Sequence, residues 1–248
     1  MAVHDFRSQR LYVDAALGPE TSVMCNKDQS NYLRNVLRLN AGDEILIFNG
    51  VDGEWLSRLA PRGKRECDLI VIAQTRVQQT GSELQYLFAP LKRARLDYVV
   101  QKATEMGVAS LHPVLTERTV AARVNTGRMR SNVIEAAEQC GILCLPSVHE
   151  PCKLSTALSS WEASRILFFA DEAADTTTPL GVFDGLERGQ PAAVIIGPEG
   201  GFSETERRQI RAMAQTRVVS LGPRIMRADT AAVALLALVN ATIGDWTA

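Results

Sequence analysis

The sequence predicts two units: a small β-rich barrel over residues 1–78, then an α/β domain with a mostly parallel sheet over residues 84–248. Three observations lead to this. Short apolar runs separated by hairpin turns such as Asn49-Gly50 and Asp52-Gly53 fill the first third of the chain. A polar stretch without periodicity, Val77 to Glu83, follows and reads as a linker. Beyond it, apolar strands alternate with amphipathic helical segments, the pattern of a parallel sheet with crossover helices.

The bulk numbers agree with a globular chain. Of 248 residues, 46% are apolar and 22% charged, which is enough to bury a sizeable core. The net charge of -1 excludes a global basic field, so any nucleic-acid surface has to be a local patch. The first residues lack the apolar core of a signal peptide. The longest apolar run, Ala231 to Val239, is too short to span a bilayer. The expectation is a cytoplasmic protein with no membrane partner. Its five cysteines form no CxxC pair and are expected to be reduced and inert, with no metal site.

In the first unit the strand-like runs are Arg10–Val13, Asp43–Phe48, Glu54–Leu56 and Cys67–Ile72. A helical segment, Asp28 to Leu39, lies between the first two and would put Arg34 and Arg38 on one face. Residues 1–80 carry ten basic and ten acidic side chains, so this unit is neutral.

In the second unit Leu84–Ala89 is a strand, Leu91 to Arg95 the crossing, and a helix follows, ending at Gly107. Val108–Val114 is the next strand. A helix from Arg128 to Cys140 puts Met129, Val133, Ala136, Ala137 and Cys140 on its core face, and Gly141 stops it. A short helix, Ser155–Ala163, and a strand, Arg165–Ala170, come next. Between Lys92 and Arg130 eight basic residues stand against three acidic ones. That stretch reads either as a solvated face or as a track for a phosphate backbone. His4, His112 and His149 are far apart in sequence and read as structural or surface groups.

The remaining chain holds two loops with one design. The strand Ala192–Ile196 breaks into Gly197-Pro198-Glu199-Gly200-Gly201, and the strand Arg217–Leu221 breaks into Gly222-Pro223-Arg224-Ile225-Met226-Arg227. In an open parallel sheet, ligands bind beyond the carboxyl ends of the strands, so the loops read as two walls of one site. Glycine lets backbone approach a ligand and proline stiffens the path, which suits an adenine edge or a ribose. A phosphate loop fits badly. The sequence is neither GxGxxG nor GxxxxGK[ST], and Glu199 stands where a phosphate would sit. Ser203 to Glu206 reads as a capping box, so the next helix start is already satisfied by protein. The last helix, Thr230 to Val239, is apolar nearly all round and must be covered on most sides, by the chain itself or by a second copy.

Several of these segments together resemble one family. Ile195 to Glu206 and Leu221 to Ala231 look like the two signature loops of the RsmE-type 16S ribosomal RNA uridine-N3 methyltransferases, of the SPOUT class. Leu37-Arg38, the helix Gln101 to Gly107 and the helix Glu135 to Gln139 match further motifs of that family. Asp229 stands where the family more often has Glu, which preserves the carboxylate. Ile142 and Asn31-Tyr32 depart from its pattern. The resemblance implies a PUA-like RNA-binding barrel, a SPOUT-type trefoil-knotted domain, a homodimer, and S-adenosyl-L-methionine as cofactor.

The implied cofactor contacts are Ile196, Gly197 and Gly201 from the first loop, and Leu221, Gly222, Ile225 and Met226 from the second. The implied partner is 16S ribosomal RNA or the small ribosomal subunit. Candidate RNA contacts are Arg10, Arg38, Lys92, Arg93 and Lys102, with surface ion pairing as the alternative for Arg10 and Arg38. The candidate catalytic pair is Arg227, facing the uridine anion, and Asp229, as base or as the group that orients the arginine. The alternative is a structural Arg–Asp pair.

Overall fold

The computed structural model describes residues 8–120, 123–174 and 180–247. His4 lies outside them. The chain divides into two compact units. One comprises the described residues up to Thr80 together with Ala137–Leu145, and the other comprises Gly81–Ala136 and Pro146 onward. The excursion of Ala137–Leu145 into the first unit is invisible in the sequence, because it begins within a continuous helix.

The first unit has strands β1 (Arg10–Tyr12), β2 (Ser22–Met24), β3 (Glu44–Phe48), β4 (Glu54–Arg62) and β5 (Glu66–Arg76) in the order β1-β3-β4-β5-β2. Only β1 and β3 run parallel. No ladder joins β1 to β2 among the described residues, so hydrogen bonds do not close the expected barrel. Leu33, Ile45, Ile47, Leu59, Leu69 and Val71 fill its core. Gly53 makes the β4 entry possible: at φ +82° its place would set a Cβ 2.3 Å from the Arg76 carbonyl oxygen. The sequence shows no sign of β2, which has three residues and one buried side chain.

Helix α1 (Lys27–Asn31) starts at a capping box of Asn26 and Gln29. It passes into a π-helical turn, Tyr32–Val36, and stops there. The expected helix to Leu39 is therefore too long. Arg38 adopts φ +59° outside it, and does not share a helical face with Arg34.

The second unit is a parallel sheet of β6 (Leu84–Phe88), β7 (Ser110–Leu115), β8 (Ser147–Val148), β9 (Cys152–Lys153), β10 (Ile166–Ala170), β11 (Ala192–Ile196) and β12 (Thr216–Val219). The order is β12-β10-β11-β6-β7-β8, with β9 also on β7. Its helices are α2 (Arg93–Glu105), α3 (Thr126–Cys140), α4 (Leu154–Ser159), α5 (Glu204–Arg211) and α6 (Ala228–Thr242). Every strand pair is parallel, so all carboxyl ends lie at one edge. β11 is buried at every position, which explains why it reads as a continuous apolar run rather than an alternating one.

Three expectations need correction here. α2 begins at Arg93, inside the expected crossing, and Lys92 is its N-cap. Cys140 is exposed and no part of the core face, because α3 has left the second unit by then. α6 buries one stripe only, namely Ala231, Ala232, Leu235, Leu236, Val239 and Asn240, and that stripe packs on α2 and β11. Val233, Ala234, Ala237 and Leu238 on the other stripe are half-buried.

Candidate active site

The two Gly-Pro loops leave the carboxyl ends of β11 and β12, at the same edge of the sheet. They are not neighbours, because β10 lies between those strands. Three chain segments therefore meet at this edge.

The first loop is held from several sides. Gly197 has no room for a side chain, since a Cβ there would stand 2.8 Å from the Phe202 ring. Gly201 takes φ +67°, and its N–H closes a turn on the Pro198 carbonyl at 2.8 Å. Glu199 accepts from Arg95 at 2.8 Å, so an arginine of α2 meets the carboxylate that argues against a phosphate. Arg118, after β7, donates to the Gly200 carbonyl at 2.8 Å. The capping box of α5 forms as its sequence requires: Ser203 Oγ accepts from Glu206 N, and Glu206 accepts from Ser203 N at 2.9 Å. The other Glu206 oxygen accepts from Glu117 N at 2.8 Å, which joins this helix start to the loop after β7.

The second loop is open. Gly222 takes φ +99° with nothing within 4 Å of where a Cβ would be. Ile225 is 96% exposed, an apolar side chain outside any core, and Leu221 and Met226 are half-buried. Backbone groups beside such apolar side chains fit a ligand with a flat ring and a polar edge, as in a nucleoside.

Arg227 is exposed at the N-cap of α6, and its side chain caps nothing. Asp229 lies in the first turn, where the helix dipole favours a carboxylate. Its Oδ1 accepts the Thr230 N–H at 2.9 Å. No ion pair joins Arg227 to Asp229 among the described residues, so the structural-pair alternative finds no contact. Beneath them Tyr86 is fully buried and stacks on Phe88 at 4.9 Å. Burial first, and then the charge of Asp229, push the Tyr86 phenol far above its ordinary range and keep it neutral.

The candidate RNA residues fall into different surroundings. Lys92 and Arg93 are exposed at the start of α2, and Arg38 is exposed in the first unit. Lys102 pairs with Glu105 at 2.7 Å and sits 5.7 Å over the Tyr98 ring. Arg10 is a correction. It is buried and bonds Glu54 at 2.8 Å, together with Arg76, also at 2.8 Å. Burial pushes the Glu54 carboxyl up, but hydrogen bonds from Arg76, Arg10 and Thr75 outweigh it and hold the group below its ordinary value. Arg10 thus builds the interior of its unit and presents no cation to a ligand.

Sequence reasoning noted the acidic pair Asp171-Glu172 after the strand Arg165–Ala170 but did not place it between the two loops. The pair follows β10, and Arg207 and Arg211 of α5 reach it. The signals were an acidic pair at a strand end and two arginines four apart on a helix. It also missed that His112 and His149 stack at 4.0 Å, which the β7–β8 pairing decides. Among the described residues no group of three or more His, Cys, Asp or Glu is placed to hold a metal ion. No described helix is long and apolar enough to cross a membrane.

A parallel α/β sheet with two glycine-punctuated loops and exposed arginine at one edge, preceded in the chain by a small β-rich unit, defines a two-unit α/β protein with a candidate ligand site at the carboxyl ends of its strands. The chain belongs to the RNA methyltransferase domain family, whose profile matches residues 78–240, and residues 26–72 match the RNA methyltransferase PUA domain. It is 28% identical to the ribosomal RNA small subunit methyltransferase E of Rickettsia conorii, over 93% of this chain and 94% of that one. The protein of that name from Synechocystis is 29% identical, over 90% of this chain and 74% of its own length. Among solved structures it resembles the ribosomal RNA small subunit methyltransferase E of Neisseria gonorrhoeae bound to S-adenosyl methionine. The TM-score is 0.86 at 25% identity, covering 97% of this chain and all of that one.

Proposed function

We propose that this protein is an S-adenosylmethionine-dependent methyltransferase acting on N3 of a specific uridine in the 16S ribosomal RNA of the small subunit. The observation that carries the reading is the pair of glycine-punctuated loops at one sheet edge, in a chain alike over nearly its whole length to a relative solved with that cofactor. The first loop would hold the cofactor with Ile196, Gly197 and Gly201. The second would hold it with Leu221, Gly222, Ile225 and Met226.

Bound S-adenosylmethionine supplies an electrophilic methyl group. The protein has to do the rest. N3 of uridine carries a proton and is a poor nucleophile until that proton leaves, and the negative charge then spreads over O2 and O4. Arg227 places a cation against those oxygens. Asp229 accepts the proton, which is worth about 10²–10⁴-fold in rate. The proposed RNA contacts are Lys92, Arg93 and Lys102 in the second unit and Arg38 in the first, each acting on phosphates.

Two further features belong to this reading. One is the trefoil knot that the family resemblance implies; α6, which follows the edge strand β12, packs on β11. A second copy covers the half-buried stripe of α6, giving a homodimer, and sedimentation velocity at micromolar concentration reads its mass directly. The protein works in the cytoplasm, where its RNA is.

Transfer of labelled methyl from S-adenosylmethionine to small subunits and to naked 16S RNA, followed by mapping of the modified base, tests the proposal. Label on uridine N3 is expected. Binding of both ligands without transfer would make this an RNA-binding protein of the same fold.

A further inference from the structure

We propose that Asp171, through Arg207 and Arg211, is a positioning residue that sets the separation of the two cofactor loops. The inference rests on the cofactor reading above. β10 pairs through Phe169 with Ile195 of β11 and through Ala170 with Val219 of β12. Continuing that register places Asp171 level with Gly197 on one side and Ser220 on the other, one residue into each loop.

Each group of Asp171 is engaged. Its backbone N–H donates to the Val219 carbonyl at 3.1 Å, at the root of the second loop. Its side chain is 0% exposed. Oδ2 accepts from Arg211 Nε at 3.0 Å and Nη2 at 2.5 Å. Oδ1 accepts the Ala173 N–H at 3.0 Å and lies 3.5 Å from Arg207 Nη1. Both arginines stand on α5, the helix that begins where the first loop ends. Arg207 also donates to Glu172 at 2.7 Å, and Glu172 Oε1 lies 3.0 Å from where a Cβ on Gly201 would be.

A buried carboxylate is thus tied by backbone to the strand that starts the second loop and by charge to the helix that follows the first. Two arginines on adjacent turns fix its orientation more tightly than one would. Removing the charge leaves two guanidinium groups facing a neutral amide, and α5 loses the contacts that set its angle to the sheet edge. The cluster joins the end of β10 to α5 and not to the candidate pair Arg227 and Asp229, so its effect is read in cofactor affinity before it is read in chemistry.

The test is calorimetric binding of S-adenosylmethionine to Asp171→Asn, well below its melting temperature, beside hydrogen exchange of residues 197–202 and 220–227. Affinity is expected to fall about tenfold, the scale of a lost hydrogen bond to a charged group, with faster exchange in both loops. Glu204→Gln removes an exposed contact to Arg208 on the same helix, 3.9 Å long, and should leave affinity unchanged. An Asp171→Asn protein that melts earlier but binds as tightly as the wild type overturns the proposal. If that variant does not fold, Arg211→Gln decides, since the Arg211 side chain is 41% exposed. Unchanged affinity there overturns the proposal as well. A wild-type chain that binds no S-adenosylmethionine overturns the functional reading instead.

Discussion

Arg227 and Asp229 stand two apart at the start of α6, and no ion pair or hydrogen bond among the described residues joins their side chains, so their roles separate by substitution. Arg227→Ala is expected to lower the single-turnover methyl-transfer rate about 10²–10³-fold, the scale of one lost oxyanion donor, with RNA affinity kept. Full transfer in that variant would remove the electrostatic role. Asp229→Asn is expected to be slow at neutral pH and to recover toward high pH, where solvent ionises the uridine. Turnover equal to wild type across pH would assign Asp229 to the loop alone. A third residue makes a prediction about stability. Burial first, and then His149 and Arg165, push the His112 imidazole down to about 4 from its ordinary 6.5. The unfolded chain therefore binds the extra proton between those values, and the folded protein does not. Stability is lost as pH falls through that window. Melting temperature should drop from pH 7 to pH 5, and drop less in His112→Gln.

At the scale of elements, the first Gly-Pro loop and α5 act together. Ser203 and Glu206 satisfy each other's N–H groups, and Glu206 also takes the Glu117 N–H. Ser203→Ala removes the cap and should cost about 1 kcal/mol in urea unfolding. Cofactor affinity is expected to fall with it, because the cap and Gly201 are two residues apart. An unchanged unfolding midpoint would show that Glu206 holds the helix start alone. The capping box was legible because its residue types sit at fixed spacing along the chain. The end of α1 was not. Tyr32–Val36 carries apolar side chains at helical spacing, but the turn widens there and Arg38 adopts a positive φ. Periodicity records which side chains are apolar and does not record how tightly the backbone is wound.

Across the whole molecule the charge pattern matters most for RNA. Of the eight basic residues between Lys92 and Arg130, Arg95, Lys102 and Arg128 are paired to carboxylates, and Arg118 bonds a carbonyl. Lys92 and Arg93 are exposed at the start of α2. Replacing both by Ala should weaken binding to all RNA sequences and flatten the slope of log affinity against log salt by roughly 1.5. A slope that does not move would take these two off the track. The sequence by itself determined the strand–helix alternation, the two Gly-Pro loops, the capping box and the family motifs, because these depend on residue types at short spacing. Only the tertiary structure decided that β10 separates the two loops and that Asp171 stands between them. It also decided that Arg10 is an interior ion pair and that two distant histidines stack. Each of these depends on which strands lie side by side, and parallel strands joined by long crossovers leave that order unwritten in any local pattern.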